Sequence, residues 1–132
     1  MDTKRGEYGK KADVCAAGKG KEKMKGVFLG KSELEVPAVI IGCMRLGEKD
    51  QDAMNRFIHT AIEQGAYYFD HADIYAGGKS EEVFGKAWSE DPSLHREDMF
   101  LQSKCGIRKG FYDLSKKYIL ESVDGILKRL RT

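Results

Sequence analysis

Ala66-Tyr67-Tyr68-Phe69-Asp70-His71-Ala72-Asp73-Ile74-Tyr75 is the stretch on which the fold turns. Its first half is apolar and aromatic, as a short strand requires. Its second half breaks at once into carboxylates, a histidine and a phenol. The same abrupt change recurs at Met99-Phe-Leu-Gln-Ser-Lys104-Cys105, where an apolar run ends in a hydroxyl, an ammonium and a thiol. Strands that finish in reactive side chains belong to folds whose sites gather at the carboxyl ends of parallel strands.

Between and around these strands the helical periods are clear. Met54, Phe57, Ile58, Ala61 and Ile62 line one face at 3.6 residues per turn, and Gly65 follows where a helix C-cap belongs. Ser80-Glu-Glu-Val-Phe-Gly-Lys-Ala-Trp88 reads as a second helix, with Ser80 as its cap and Glu81 and Glu82 suited to its positive end. Asp91-Pro92 breaks the chain. A third helix takes Ile119, Leu120, Val123, Ile126, Leu127 and Leu130 on one face, and Lys128, Arg129 and Arg131 complement its C-terminal dipole.

Upstream, Lys25-Gly-Val-Phe-Leu-Gly30 and Val36-Pro-Ala-Val-Ile-Ile-Gly42 flank the polar Lys31-Ser-Glu-Leu-Glu35, a hairpin leading into a strand. Residues 38–41 are apolar at consecutive positions, which predicts a strand buried on both faces. The order is hairpin, then βαβαβα, and such alternation means a parallel sheet. A doubly wound dinucleotide fold would place G-x-G-x-x-G after the first strand. The chain has Gly42-Cys-Met-Arg-Leu-Gly47 there, without that spacing. The expected architecture is the N-terminal portion of a (β/α)8 barrel, a hairpin plus about three βα units.

Composition narrows the setting. The 132 residues carry 23 Lys and Arg against 21 Asp and Glu, a formal net charge of +2, with 41% hydrophobic residues. No apolar run approaches the roughly 18 residues that span a bilayer, and residues 1–25 lack a secretory h-region. A cytoplasmic protein with no membrane partner is expected. Three cysteines without a C-x-x-C pair give neither a disulfide framework nor a metal site. Residues 1–23 read as a flexible basic tail, rich in Lys and Gly with little to bury. Met24 is an alternative start. With one aromatic, Tyr8, and no arginine cluster, the tail does not call for a nucleic-acid partner.

The chemistry is carried by Asp70, Tyr75 and Lys104. Singly, each has an ordinary reading: a turn aspartate, a loop aromatic, a snorkelling lysine. Adjacent parallel strands bring an acid, a phenol and an ammonium to one mouth. A free phenol titrates at about 10, and a nearby ammonium favours its ionised form. A carboxylate beside the lysine keeps that ammonium charged and in place. Such a tyrosine can protonate a carbonyl oxygen as hydride reaches the carbon, or do the reverse.

At these residues the sequence resembles the aldo-keto reductase superfamily. Phe69-Asp-His-Ala-Asp-Ile-Tyr75 with Gly77-Gly78-x-Ser80-Glu81, and Arg96-Glu-Asp-Met-Phe-Leu-Gln-Ser-Lys104, are similar to two of its signatures. The likeness covers about residues 24–132, read as one partial barrel domain, and is strongest to bacterial oxidoreductases. It implies Tyr75 as general acid, Lys104 as its modulator and Asp70 as the partner of Lys104. It also implies NADP(H), usually NADPH, with Gly42, Cys43, Met44 and Asp70 near the nicotinamide and its ribose. The substrate class would be a small aldehyde or ketone, with no metal. His71 has a positioning or a direct role on equal footing.

The family's catalytic histidine would end a fourth strand, beyond Thr132. The chain is therefore expected to be a fragment, stopping before strand four and incomplete or inactive alone. Two other readings stand beside the reductase. One is a class I Schiff-base lyase using Lys104; the other is a non-catalytic fragment that acts by association. Oligomeric state is not legible.

Overall fold

The computed structural model describes residues 24–132. The basic tail expected over residues 1–23 lies outside them. The hairpin forms from β1 (Gly26–Phe28) and β2 (Glu35–Pro37), antiparallel with Val27 opposite Val36. The chain then builds a parallel sheet in the order β3 (Ile40–Gly42), β4 (Tyr68–Asp70), β5 (Phe100–Gln102). Helix α1 (Gln51–Glu63) joins β3 to β4, α2 (Lys79–Glu90) joins β4 to β5, and α3 (Lys116–Leu130) follows. Among the described residues no helix is long and apolar enough to cross a membrane.

The buried face and the end of α1 are as expected. Asp50 caps α1, its carboxylate accepting from the Ala53 amide at 2.7 Å. Gly65, at φ +79°, takes the left-handed position that ends it. Met54, Ile58 and Ala61 are the buried face of α1. They meet Phe69 of β4 and Phe84 of α2, whose ring centroids lie 4.9 Å apart in a tilted pair. Leu130 brings the end of α3 into the same core.

Helices α2 and α3 cross at Gly85. A methyl group added there would stand 2.1 Å from the Arg129 carbonyl oxygen. Only the absence of a side chain lets the backbones approach so closely. The Trp88 indole then donates to the Leu130 carbonyl at 2.9 Å, which fixes the crossing.

Three expectations need correction. Residues 38–41 are not buried on both faces: Val39 and Ile40 are 49% and 47% exposed. Among the described residues β3 lies at an edge of the sheet, and the core residues from α1 and α2 pack on one side of it. Ser80 does not cap α2. Gly78, at φ +92°, occupies the cap, and Ser80 sits in the first turn with a buried, unpartnered hydroxyl. The α3 face is covered only towards its end: Leu130 is buried and Ile126 packs on the core, while Leu120 and Leu127 remain exposed. Lys128 and Arg129 lie in the last turn of α3 as expected, and Arg129 and Arg131 also pair with Glu81 and Glu90.

One element has no counterpart in the sequence reading. β6 (Ile107–Arg108) and β7 (Phe111–Tyr112) form a second hairpin over Lys109-Gly110, with Gly110 at φ +86°. Two-residue strands carry too few side chains to show a period.

Candidate active site

Sheet register brings the site together. Gly42, Asp70 and Gln102 are direct partners, so the last residues of β3, β4 and β5 form one row across the carboxyl edge. Backbone bonds continue past that row. The amides of Cys43, His71 and Asp73 donate to the carbonyls of Asp70, Gln102 and Lys104 at 2.9, 2.8 and 3.0 Å. The loops after the three strands are therefore tied to one another.

Lys104 reaches back over this row. Its Nζ donates to Asp70 Oδ1 at 3.0 Å, to Oδ2 at 2.9 Å and to the His71 carbonyl at 2.8 Å. The same ammonium lies 5.0 Å from the centre of the Tyr75 ring. Partial burial is the largest single influence on Lys104 and works against its charge. The contacts with Asp70 and Tyr75 together outweigh it and hold the group above an ordinary lysine. Asp70 is held from its other side: Gln102 Nε2 donates to Oδ1 at 2.7 Å, and the Tyr68 hydroxyl donates to Gln102 Oε1 at 2.5 Å.

Tyr75 opens a 3₁₀ turn, Tyr75–Gly78, that runs directly into α2. Ala76 within it has φ 50° and ψ 38°, left-handed values that a side chain resists. Gly47 makes room for this turn, since a methyl group there would stand 2.6 Å from Ala76 Cβ. The second glycine of Gly42-Cys-Met-Arg-Leu-Gly47 thus serves the Tyr75 loop.

All three candidate catalytic residues, Asp70, Tyr75 and Lys104, converge. The candidates at the end of β3 divide. Gly42 has nothing within 4 Å of where a side chain would stand, and Met44 is exposed. Cys43 is fully buried, its Sγ 3.4 Å from the Ile41 carbonyl oxygen. Burial first, and the Asp70 charge second, push its thiol up to about 12, which leaves it unreactive.

No described histidine joins the three by its ring. His59 contacts Asp91 at 2.9 Å, and His95 is exposed in a loop. His71 is completely buried with neither ring nitrogen partnered, its ring edge-on to Phe84 at 4.7 Å. Burial brings it down to about 4, so the imidazole is neutral at ordinary pH. Among the described residues no His, Cys, Asp and Glu side chains gather in the number a metal ion needs.

Sequence reasoning passed over Tyr68 and Gln102, although strand register alone places Gln102 beside Asp70. It named Glu81 for the helix dipole and within a family signature, without a partner. That carboxylate is instead fully buried, accepting from Ser103 Oγ at 2.6 Å and from Arg129 Nε at 2.7 Å.

The sheet and this row of side chains define the class. The Aldo/keto reductase family matches residues 38–132, and the chain belongs to that family. The fold is an N-terminal part of its (β/α)8 barrel. The chain is 40% identical over 110 residues to the uncharacterized oxidoreductase YqkF of Bacillus subtilis, covering 79% of this chain and 34% of that protein. It is 34% identical to the 6-dehydroglucose reductase of Novosphingobium aromaticivorans, over 78% of this chain and 36% of that one. The holo form of an aldo-keto reductase from Bacillus halodurans superposes with a TM-score of 0.71 at 37% identity, over 83% of this chain and 37% of its own. The chain thus spans little more than a third of the length of the relatives it matches.

Proposed function

We propose that residues 24–132 supply the proton-transfer half of an NAD(P)H-dependent carbonyl reductase. The observation that carries this reading is the contact of one ammonium with both the Asp70 carboxylate and the Tyr75 ring. In reduction, the Tyr75 hydroxyl gives its proton to the oxygen of an aldehyde or ketone. Lys104 stabilises the phenolate that remains, and Asp70 keeps Lys104 charged and aimed. Run backwards, the phenolate removes the proton of an alcohol.

The bound nicotinamide would supply or accept the hydride. Residues of this chain fit it at one end: Gly42 offers a flat, open strand end for a ring, and Met44 lies exposed beside it. Asp70, the register partner of Gly42, would help hold the ribose. Cys43 would contribute through its backbone. NADPH as the preferred form, and a cytoplasmic setting, belong to the same proposal.

The lyase reading is the weaker one on physical grounds. A Schiff-base lysine must lose its proton to attack a carbonyl, and such lysines titrate low. Lys104 is held above the ordinary lysine range by Asp70 and Tyr75 despite its partial burial.

The test joins this chain to the remaining strands of a family barrel and supplies NADPH with a panel of small aldehydes and ketones. Carbonyl-dependent oxidation of NADPH, with the matching alcohol as product, is the expected result. A carbonyl carbon fixed to Lys104 by borohydride would establish the lyase in its place.

A further inference from the structure

Glu81 is a carboxylate without access to water, and proton transfer at Tyr75 does not use it. Its side chain is fully buried, and it binds two groups that come from different parts of the fold. Oε1 accepts from Ser103 Oγ at 2.6 Å, and Oε2 accepts from Arg129 Nε at 2.7 Å. Ser103 immediately precedes Lys104. Glu81 lies in the first turn of α2, whose start is continuous with the Tyr75–Gly78 turn. Arg129 belongs to α3 near its crossing with α2, and its side chain also packs over Gly78.

A buried ion pair is a poor source of net stability, because desolvating both charges offsets most of their attraction. Fixing geometry is a better account of this one. The two arms of the site, Tyr75 on one loop and Lys104 on the next, need a constant separation for the ammonium to influence the phenol. We propose that Glu81 is the positioning residue for that separation: its carboxylate ties the strand end before Lys104 to the helix start after Tyr75, with Arg129 as anchor. The catalytic meaning of the tie rests on the reductase reading; the tie itself does not.

The groups facing Lys104 are Asp70 and the His71 carbonyl from the end of β4, Tyr75 from the following turn, and the more distant Cys43 from the end of β3. Neither Ser103 nor Glu81 touches its ammonium. A change in Lys104 on altering either one therefore reports position. The readout is exchange of the Lys104 ammonium protons with water, followed by NMR in the full chain with ¹⁵N at Nζ. This needs no cofactor and no turnover, so failure of the tie and failure of the reductase reading are told apart.

Ser103→Ala should speed exchange at Lys104 by about fivefold, the effect of one lost hydrogen bond on the opening equilibrium, while exposed Lys86 stays unchanged. Ser103→Thr, which keeps the hydroxyl, should restore the parent rate. Glu81→Gln keeps the side-chain shape and drops the charge, and should move Lys104 in the same direction as Ser103→Ala. Unchanged exchange at Lys104 in Ser103→Ala and Glu81→Gln, or failure of Ser103→Thr to restore it, would overturn the proposal.

Discussion

Gly85→Ala sets two effects of opposite sign against each other. In an exposed helix interior, replacing Gly by Ala stabilises by about 1 kcal/mol. At residue 85 the new methyl would lie 2.1 Å from the Arg129 carbonyl oxygen, 2.8 Å from the Leu130 carbonyl carbon and 2.9 Å from Leu130 Cα. All three are backbone atoms, so no rotamer relieves the overlap. Relief requires α3 to withdraw from α2 by more than an ångström. That movement strains the Trp88–Leu130 hydrogen bond of 2.9 Å and lifts Leu130 from the core. Overpacking of this kind costs typically 1–3 kcal/mol, and the lost bond adds about 1 kcal/mol. The clash wins, with a net destabilisation of about 1–3 kcal/mol. Urea unfolding of the full chain, followed through Trp88 fluorescence, measures it. A variant as stable as the parent, or more stable, would refute the close crossing.

Other consequences follow from the buried and open positions. His71 is held neutral by burial and titrates at about 4, whereas an unfolded histidine titrates at 6.5. Because the folded value is depressed, the unfolded chain binds the extra proton, and stability is lost as pH falls between these limits. The loss is on the order of 3 kcal/mol. His71→Leu should flatten that part of the stability profile, and parallel profiles for parent and variant between pH 6.5 and 4 would contradict the burial. Gly42→Ala places its methyl in open space, with nothing within 4 Å, so unfolding free energy should change by less than about 0.5 kcal/mol. NADPH affinity should nevertheless fall, as fluorescence titration can show; unaltered binding would remove Gly42 from the cofactor surface.

The sequence was most readable where chemistry changes sharply along it. The break at Asp70-His71-Ala72-Asp73 marked a strand end, and two such ends in a parallel sheet sufficed to bring Asp70, Tyr75 and Lys104 together. The periods of α1 and α3 were equally plain, because apolar side chains at helical spacing are a local signal. Burial was less legible. The run at 38–41 reads as interior, yet among the described residues Ile40 lies on an edge strand with one side open. How many faces are covered is decided by elements distant in sequence. The role of Ser80 was misread because a serine before two glutamates resembles a cap. The left-handed Gly78 had already started the helix. Glu81 was hidden for a similar reason. Its partners Ser103 and Arg129 stand 22 and 48 positions away, and no local pattern announces a contact of that range.

The central claim is that Tyr75 is the proton donor to a carbonyl reduced by hydride. Its most direct test joins this chain to the remaining barrel of the Bacillus halodurans reductase and follows deuteride from 4-deuterated NADPH to an aldehyde. With Tyr75 in place, deuterium should appear on the carbinol carbon of the product alcohol. Tyr75→Phe should bind NADPH as before and slow that transfer by about 10²–10⁴-fold, the usual worth of a positioned general acid. Transfer at the parent rate in Tyr75→Phe would contradict the account.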